Sequence, residues 1–194
     1  MEPAAATTQA TAGAGAGAAV KVRAATPADM PLIHRLIHEL AQYEGMPEGP
    51  QLTADDLVED GFTSSPAWFF ALVAERGGQV VGYAICNRAY SSWTRRAFYL
   101  EDLYVLPEAR RAGVGHALLT HLCQLAAAAG VHRIDWHVLE DNEPARRFYA
   151  RLGARDLRSS EGRAALRLDH GHILRLAAGA DLAAGADHAA DPTH

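Results

Sequence analysis

The sequence predicts an α/β fold of the mixed, α+β-like kind. Two features carry that prediction. A pair of apolar strands joined through Gly77-Gly78 demands antiparallel neighbours. Downstream, a strand, a long helix and another strand follow one another, and that order demands a parallel crossover. A sheet with both pairings is mixed. The composition suits such a domain: of 194 residues, 49% are hydrophobic and 21% charged, enough to bury one core and solvate its surface.

Taken in order, the elements declare themselves through caps and periodicity. Thr26-Pro27-Ala28-Asp29 offers an N-cap, a proline at the first helical position and a carboxylate near the positive helix end. Met30, Ile33, Leu36, Ile37 and Leu40 then form one apolar stripe at helical spacing. A second, short helix is expected at Thr53, with Asp56 as its capping-box partner. The hairpin pairs residues 68–73 with 80–85 across Arg76-Gly77-Gly78-Gln79. A strand over 98–106 stops at Pro107. A helix over 113–129 presents Val114, Leu118, Leu122 and Leu125 on one face, with Gly130 as its stop. A strand over 133–139, a helix over 144–152 closed by Gly153, and a last strand over 164–168 complete the pattern.

The domain is expected over residues 20–176. Residues 1–19 and 177–194 are Ala/Gly-rich, have little to bury, and read as disordered tails. The first tail has no basic residue, unlike a signal or transit peptide. A formal net charge of -5 with no block of Lys and Arg argues against nucleic acid as a partner. No apolar run reaches the ~20 residues that span a bilayer. Cys86 and Cys123 both fall on predicted core elements and read as buried small hydrophobes, which fits a cytoplasmic location.

Three segments could carry chemistry. Arg110-Arg111-Ala112-Gly113-Val114-Gly115-His116 lies between a strand end and a helix start. Glycines there let backbone N–H groups converge on a phosphate at the positive helix end; the alternative is a loop that simply caps the helix. Glu101-Asp102 interrupts an apolar strand. Period-two alternation sends Tyr99, Glu101 and Leu103 to one face and Leu100, Asp102 and Tyr104 to the other. The carboxylates are either a base or cation anchor in a cleft, or ion-paired with Arg95 or Arg96. In the third segment Ala145, Phe148, Tyr149 and Leu152 form a helical stripe that turns Tyr149 inward. Its phenol is either a satisfied core hydroxyl or an acid of pKa ~10.

The three segments together resemble the GNAT superfamily of N-acetyltransferases. Arg110-x-x-Gly113-x-Gly115 matches its acyl-CoA loop, and Asn142 with Phe148-Tyr149-x-x-x-Gly153-Ala154 matches its late signature. Leu40-Ala41-Gln42-Tyr43-Glu44, Tyr99-Leu100-Glu101-Asp102 and Asn142-Glu143-Pro144 narrow the resemblance to the diamine (spermidine/spermine) and thialysine acetyltransferases. The resemblance implies helices on both faces of a mostly antiparallel sheet whose one parallel pair splays to admit acyl-CoA. It implies that Leu103, Tyr104 and Val105 meet the pantetheine arm. Arg110, Arg111, Ala112, Gly113, Val114, Gly115 and His116 would form the diphosphate loop, with Asn142, Glu143, Pro144 and Ala145 completing the acetyl-CoA site. Tyr149 would be the general acid. Glu101 would be the base or substrate anchor, with Tyr43, Glu44, Asp135, Trp136, His137 and Glu161 around the amine. A homodimer is implied as well.

Departures from the polyamine pattern bear on the substrate. Ser91 stands where polyamine enzymes carry an acid, and Arg163 replaces the aromatic after Glu161-Gly162. An arginine there disfavours a long polycation and suits an amine that bears its own carboxylate. The implied reaction is direct: an alkyl ammonium of pKa ~10.4 loses a proton, attacks the thioester, and Tyr149 protonates the departing sulfur. No metal is required. His34 and His38 lie four apart on a helix, but no third ligand follows at a zinc-like spacing. Acetylation of protein N-termini or lysines and a non-catalytic CoA-binding module are the competing readings.

Overall fold

The computed structural model describes residues 18–179. The expected tails therefore lie almost wholly outside the described residues. The chain divides at Asp141/Asn142 into two compact units.

The first unit holds a five-stranded sheet in the order β1 (Val20–Ala24), β2 (Phe70–Arg76), β3 (Gln79–Ser91), β4 (Arg95–Val105) and β5 (Arg133–Asp135). The first four strands pair antiparallel and β5 joins β4 in parallel. The mixed sheet is the one expected. Arg76 pairs with Gln79 across a two-residue turn, and Gly77 (φ 59°) and Gly78 (φ 78°) both occupy the left-handed region that such a turn requires. β1 was not anticipated as a strand: Val20-Lys21-Val22-Arg23 is short and half-polar, and it is a strand because β2 offers it an edge.

Helix α1 (Met30–Tyr43) grows out of a 3₁₀ turn, Pro27–Asp29. Asp29 Oδ2 accepts the Thr26 backbone N–H and hydroxyl, both at 2.7 Å, so the expected entry signal is met. Asp29 also receives a forked Arg23 guanidinium at 2.7 and 2.8 Å, which ties β1 to the helix start. That pairing holds the Asp29 carboxyl well below the ordinary carboxylate range. Helix α2 (Ala54–Val58) opens on the foreseen box, with Thr53 N–H donating to Asp56 Oδ2 at 2.7 Å and Asp56 N–H to Thr53 Oγ1 at 3.2 Å.

Met30, Ile33, Leu36, Ile37 and Leu57 pack on Ala71, Val73, Tyr83, Ile85 and Tyr104, all of one sheet face. Residues of the opposite parity, Leu72, Ala74, Ala84, Cys86 and Leu100, are buried too, beneath α3 (Val114–Ala128). Helices therefore cover both faces, as two-sided burial of a central sheet demands. On α3 the inward residues are Val114, Leu118, Leu119, Leu122 and Ala126. Leu125, expected inside, is 38% exposed, because the true stripe is centred one position off the predicted row. Cys123 is also exposed rather than buried, for the same rotation, whereas Cys86 is in the core. The helix stops at Gly130 (φ 64°), with Val131 N–H returning to Ala126 O at 2.8 Å.

The second unit contains α4 (Glu143–Arg151), α5 (Leu157–Glu161) and α6 (His170–Ala177). The strand expected over 164–168 does not form; that segment is irregular, and Leu166 is 95% exposed. Its alternation of Ala, Leu and Arg satisfies the strand pattern but finds no ladder partner. The predicted strand over 133–139 is likewise cut to three residues, since only Arg133, Ile134 and Asp135 find partners on β4.

Candidate active site

The site begins with an irregularity in β4. Ile85 pairs with Asp102, but the next β3 residue, Cys86, pairs with Leu100. Glu101 is thus the extra residue of a β-bulge. The bulge shifts parity by one. Tyr99 now shares a face with Asp102 and Tyr104, while Leu100 shares the other with Leu103. The simple alternation expected for this strand is overturned, and both neighbouring carboxylates reach one cleft. That cleft, about 600 Å³, is lined by Glu101, Asp102, Asp56 and Asp60 together with apolar Ile37 and Phe69.

The two carboxylates live in different surroundings. Glu101 is exposed and has no hydrogen-bond or ion-pair partner among the described residues. Asp102 is largely desolvated and accepts a hydrogen bond from the Tyr83 hydroxyl at 3.1 Å. Burial pushes its carboxyl up to about 6, the Tyr83 bond works against that rise, and the nearby charges of Glu101 and Glu44 add to it. Burial also raises the Glu44 carboxyl and, with Asp102 beside it, the fully buried Tyr83 phenol. Neither Arg95 nor Arg96 pairs with these acids; Arg96 instead donates to Ala129 O at 2.8 Å.

β4 pairs with β5 only from Ala97↔Arg133 to Tyr99↔Asp135. Residues 100–105 continue with ladder partners on the β3 side alone. Leu103, Tyr104 and Val105 thus lie on a strand edge that parts from its parallel neighbour, a place where an extended chain can add backbone hydrogen bonds. At the end of β5, Asp135 pairs with Arg133 at 2.8 Å. The His137 Nδ1 shares a hydrogen bond with the Tyr99 hydroxyl across the parting strands. Trp136 between them is half-buried.

After Val105 the chain turns through Pro107–Ala109 into the glycine loop. Arg110 donates from Nε to Val105 O at 3.0 Å and lies 4.8 Å from the Tyr43 ring and 5.7 Å from that of Tyr104. Its guanidinium therefore clamps the loop to the strand end and to the end of α1. Tyr104 in turn donates to Glu39 Oε2 at 3.1 Å. Arg111 (φ 64°) and Gly113 (φ 81°) both adopt left-handed backbone, so the chain coils tightly around Ala112. No side chain caps α3. Its first helical bond runs from Ala117 N–H to Gly113 O at 2.9 Å, which leaves the N–H groups of Val114, Gly115 and His116 without helical acceptors. Such a turn fits a diphosphate, and a helix start adds favourable charge.

The remaining expected residues belong to the second unit. Asn142 Oδ1 caps α4 by accepting Ala145 N–H at 3.2 Å, and Glu143 and Pro144 form the first turn. Glu143 pairs with Arg147 along the helix. Tyr149 and Phe148 are half-buried with ring centroids 5.2 Å apart, but Leu152, the last member of the expected inward stripe, is 46% exposed. Glu161 is held by Arg163 at 2.7 Å and Arg155 at 3.5 Å. Ser91, in the first unit, accepts the N–H groups of Trp93 and Thr94 at 3.2 Å and so builds the β3–β4 turn. His34 bonds the Leu52 carbonyl at 3.0 Å and meets the His38 ring edge-on.

The sequence singled out Asp102 together with Glu101 as a carboxylate pair but gave it no separate role, and it missed Tyr83. Strand alternation set Asp102 on the face of Tyr104, where it lies, but placed Tyr99 on the opposite face, from which the bulge moves it. Tyr83 looked like one more aromatic in an apolar strand.

Residues 33–154 match the model of the acetyltransferase (GNAT) family. The chain is 36% identical over 167 residues to a thialysine N-epsilon-acetyltransferase of Mus musculus, covering 82% of this chain and 97% of that one. It is 36% identical over 164 residues to a spermidine/spermine N(1)-acetyltransferase-like protein of Homo sapiens, covering 81% of this chain and 24% of that protein. Among solved structures, an integron cassette protein from the mobile metagenome of V. cholerae superposes with a TM-score of 0.66 at 23% identity, covering 83% of this chain and 99% of that one. That last likeness concerns the fold. With the sheet, the loop and these relatives agreeing, the chain belongs to the GNAT family and is an acetyltransferase enzyme that uses acetyl-CoA.

Proposed function

We propose that the protein transfers acetyl from acetyl-CoA to a primary amine of a small cationic substrate, either a diamine or polyamine or a thialysine-, lysine- or ornithine-like amino acid. The observation that carries this reading is the cleft in which Asp56, Asp60, Glu101 and Asp102 gather four acidic side chains beside the parting strands. Such a cleft, in which Arg88 stands beside the four carboxylates, attracts an ammonium group. Glu101 is the substrate-side carboxylate, and Tyr149 gives the leaving sulfur its proton. Leu103, Tyr104 and Val105 with the 110–116 loop and residues 142–145 bind acetyl-CoA.

Within that class the pairing of Glu161 with Arg163 and Arg155 favours a short amine over a long polycation, because it neutralises one of the expected attractants. The likeness to a thialysine acetyltransferase supports the same choice. A coupled thiol-release assay with acetyl-CoA and a panel of spermidine, thialysine, lysine, ornithine and N-terminal peptides tests it. Turnover of thialysine ahead of spermidine is expected. Peptides acetylated faster than every free amine would overturn the reading. The resemblance to this family supports a cytoplasmic homodimer, and light scattering on the purified protein checks the dimer.

A further inference from the structure

One positive charge stands in the acidic cleft. Arg88 lines it together with Asp56, Asp60, Glu101 and Asp102. The residue is exposed, and it makes no hydrogen bond or ion pair among the described residues, although four carboxylates line the same cleft. A guanidinium keeps its charge at every physiological pH and presents a planar fork of N–H donors that matches a carboxylate. Arg163, which the sequence offered to a substrate carboxylate, is taken up by Glu161 at 2.7 Å. Arg88 is free to do that work.

Strand register fixes its place along the sheet. Arg88 pairs with Phe98 and Ile85 pairs with Asp102, so Arg88 lies three positions along β3 from the partner of Asp102. That is roughly 10 Å at the usual strand rise. Residues 103–105, on the edge that parts from β5, continue from Asp102 in the opposite direction. The order along the sheet is therefore parting edge, acids, Arg88. A substrate whose reacting amine sits between the edge and the acids extends its other end toward Arg88. We infer that Arg88 is a specificity-determining residue that binds a carboxylate on the substrate, and so selects a basic amino acid over a diamine. The inference rests on the acetyl-transfer reading and narrows its acceptor.

The charge pattern of the lining supports the assignment. Asp56 is already engaged by the Thr53 N–H and hydroxyl, both at 2.7 Å. Asp60, Glu101 and Asp102 remain to face cations, and Arg88 to face an anion. A basic amino acid carries two ammonium groups and one carboxylate, the complement of that set. A diamine brings its second ammonium toward Arg88, where like charges repel. Because Arg88 is exposed, water and salt screen its pull, and its effect is selection between acceptors rather than tight binding. Exposure also means that replacing it leaves the β3–β4 backbone ladder in place.

The test compares matched acceptors at saturating acetyl-CoA: lysine against cadaverine, thialysine against its decarboxylated diamine, and lysine against lysinamide, which keeps the size of lysine and removes the anion. Steady-state kinetics are measured for the wild type, Arg88→Ala, Arg88→Lys and Arg88→Glu. The wild type should favour each carboxylate-bearing acceptor by ~10-fold or more in kcat/KM. In Arg88→Ala that preference should collapse, chiefly through a higher KM for the amino acid. Arg88→Lys keeps the charge and should restore part of it, whereas Arg88→Glu should reverse it in favour of the diamine. A merely structural role would not reverse a preference. Wild-type turnover of cadaverine on a par with lysine, an equal loss on every acceptor in Arg88→Ala, or an effect confined to the KM of acetyl-CoA overturns the assignment and leaves acetyl transfer standing. No turnover of any amine by the wild type overturns the proposed function and this assignment with it.

Discussion

In residues 18–141 three helices close both faces of a twisted sheet, and residues such as Met30, Ile33, Tyr83 and Leu118 are wholly buried. In residues 142–179 no described side chain is buried, and the three helices have five to nine residues each. The first unit draws its stability from apolar area removed from water, roughly 1.5–3 kcal/mol for each large side chain. The second is specified by short-range devices: Asn142 capping α4, Asp156 accepting from Arg158 and Ser159, and the Arg146–Asp156 and Arg163–Glu161 pairs. Helices this short are marginal in water when judged by propensity alone. The lesson is that burial and chemistry are distributed differently. The Asp102 pocket lies in the packed unit, while the expected acid, Tyr149, lies in the locally specified one.

That contrast can be broken most directly at Tyr149. Tyr149→Phe should lower kcat by ~10²–10⁴-fold with acetyl-CoA affinity retained, as read by steady-state kinetics and calorimetry. Unchanged turnover would leave the second unit without a chemical role. The next largest effect concerns packing. Leu118→Ala should cost ~2–5 kcal/mol in urea denaturation, whereas Leu166→Ala, already solvent-exposed, should stay within ~0.5 kcal/mol. Comparable losses at the two sites would erase the distinction.

A smaller effect is expected at the Arg23–Asp29 fork. Asp29→Asn should cost ~1–3 kcal/mol at pH 7, because a charge-assisted pair and the Thr26 contacts are lost together. The Asp29 carboxyl is held below its unfolded value of 3.8. Its contribution is therefore complete above that value and drains away as pH falls below it. The wild type and the variant should thus converge in stability toward pH 2, measured by thermal melts. Smallest of all, Asn142→Ala should cost ~1 kcal/mol through loss of the cap on α4.

Much of the first unit was legible because its signals are local and redundant. Thr26 with Asp29 and Thr53 with Asp56 announce helix starts, Gly77-Gly78 announces a hairpin, and Gly130 ends α3. The glycine loop was legible for the same reason: Gly113 needs a positive φ that other residues resist. The inward row of α3 was not legible in the same way. Leu118, Leu119, Leu122 and Leu125 are all apolar, and only the sheet beneath decides which of them it covers. The 164–168 segment shows the opposite error, in which an alternating pattern counts for nothing without a neighbouring edge.

Composition, caps and spacing by themselves determined the mixed α/β class, the helix starts at Thr26 and Thr53, the Gly77-Gly78 hairpin and the loop that marks the family, since each rests on signals within a few residues of chain. The tertiary structure decided the rest. It placed the bulge at Glu101, the shared face of Tyr99, Asp102 and Tyr104, and the Tyr83 hydroxyl against Asp102. A bulge exists only between two strands, and a carboxyl is pushed toward neutral pH only when other elements exclude water from it; neither condition is written in a single segment of sequence.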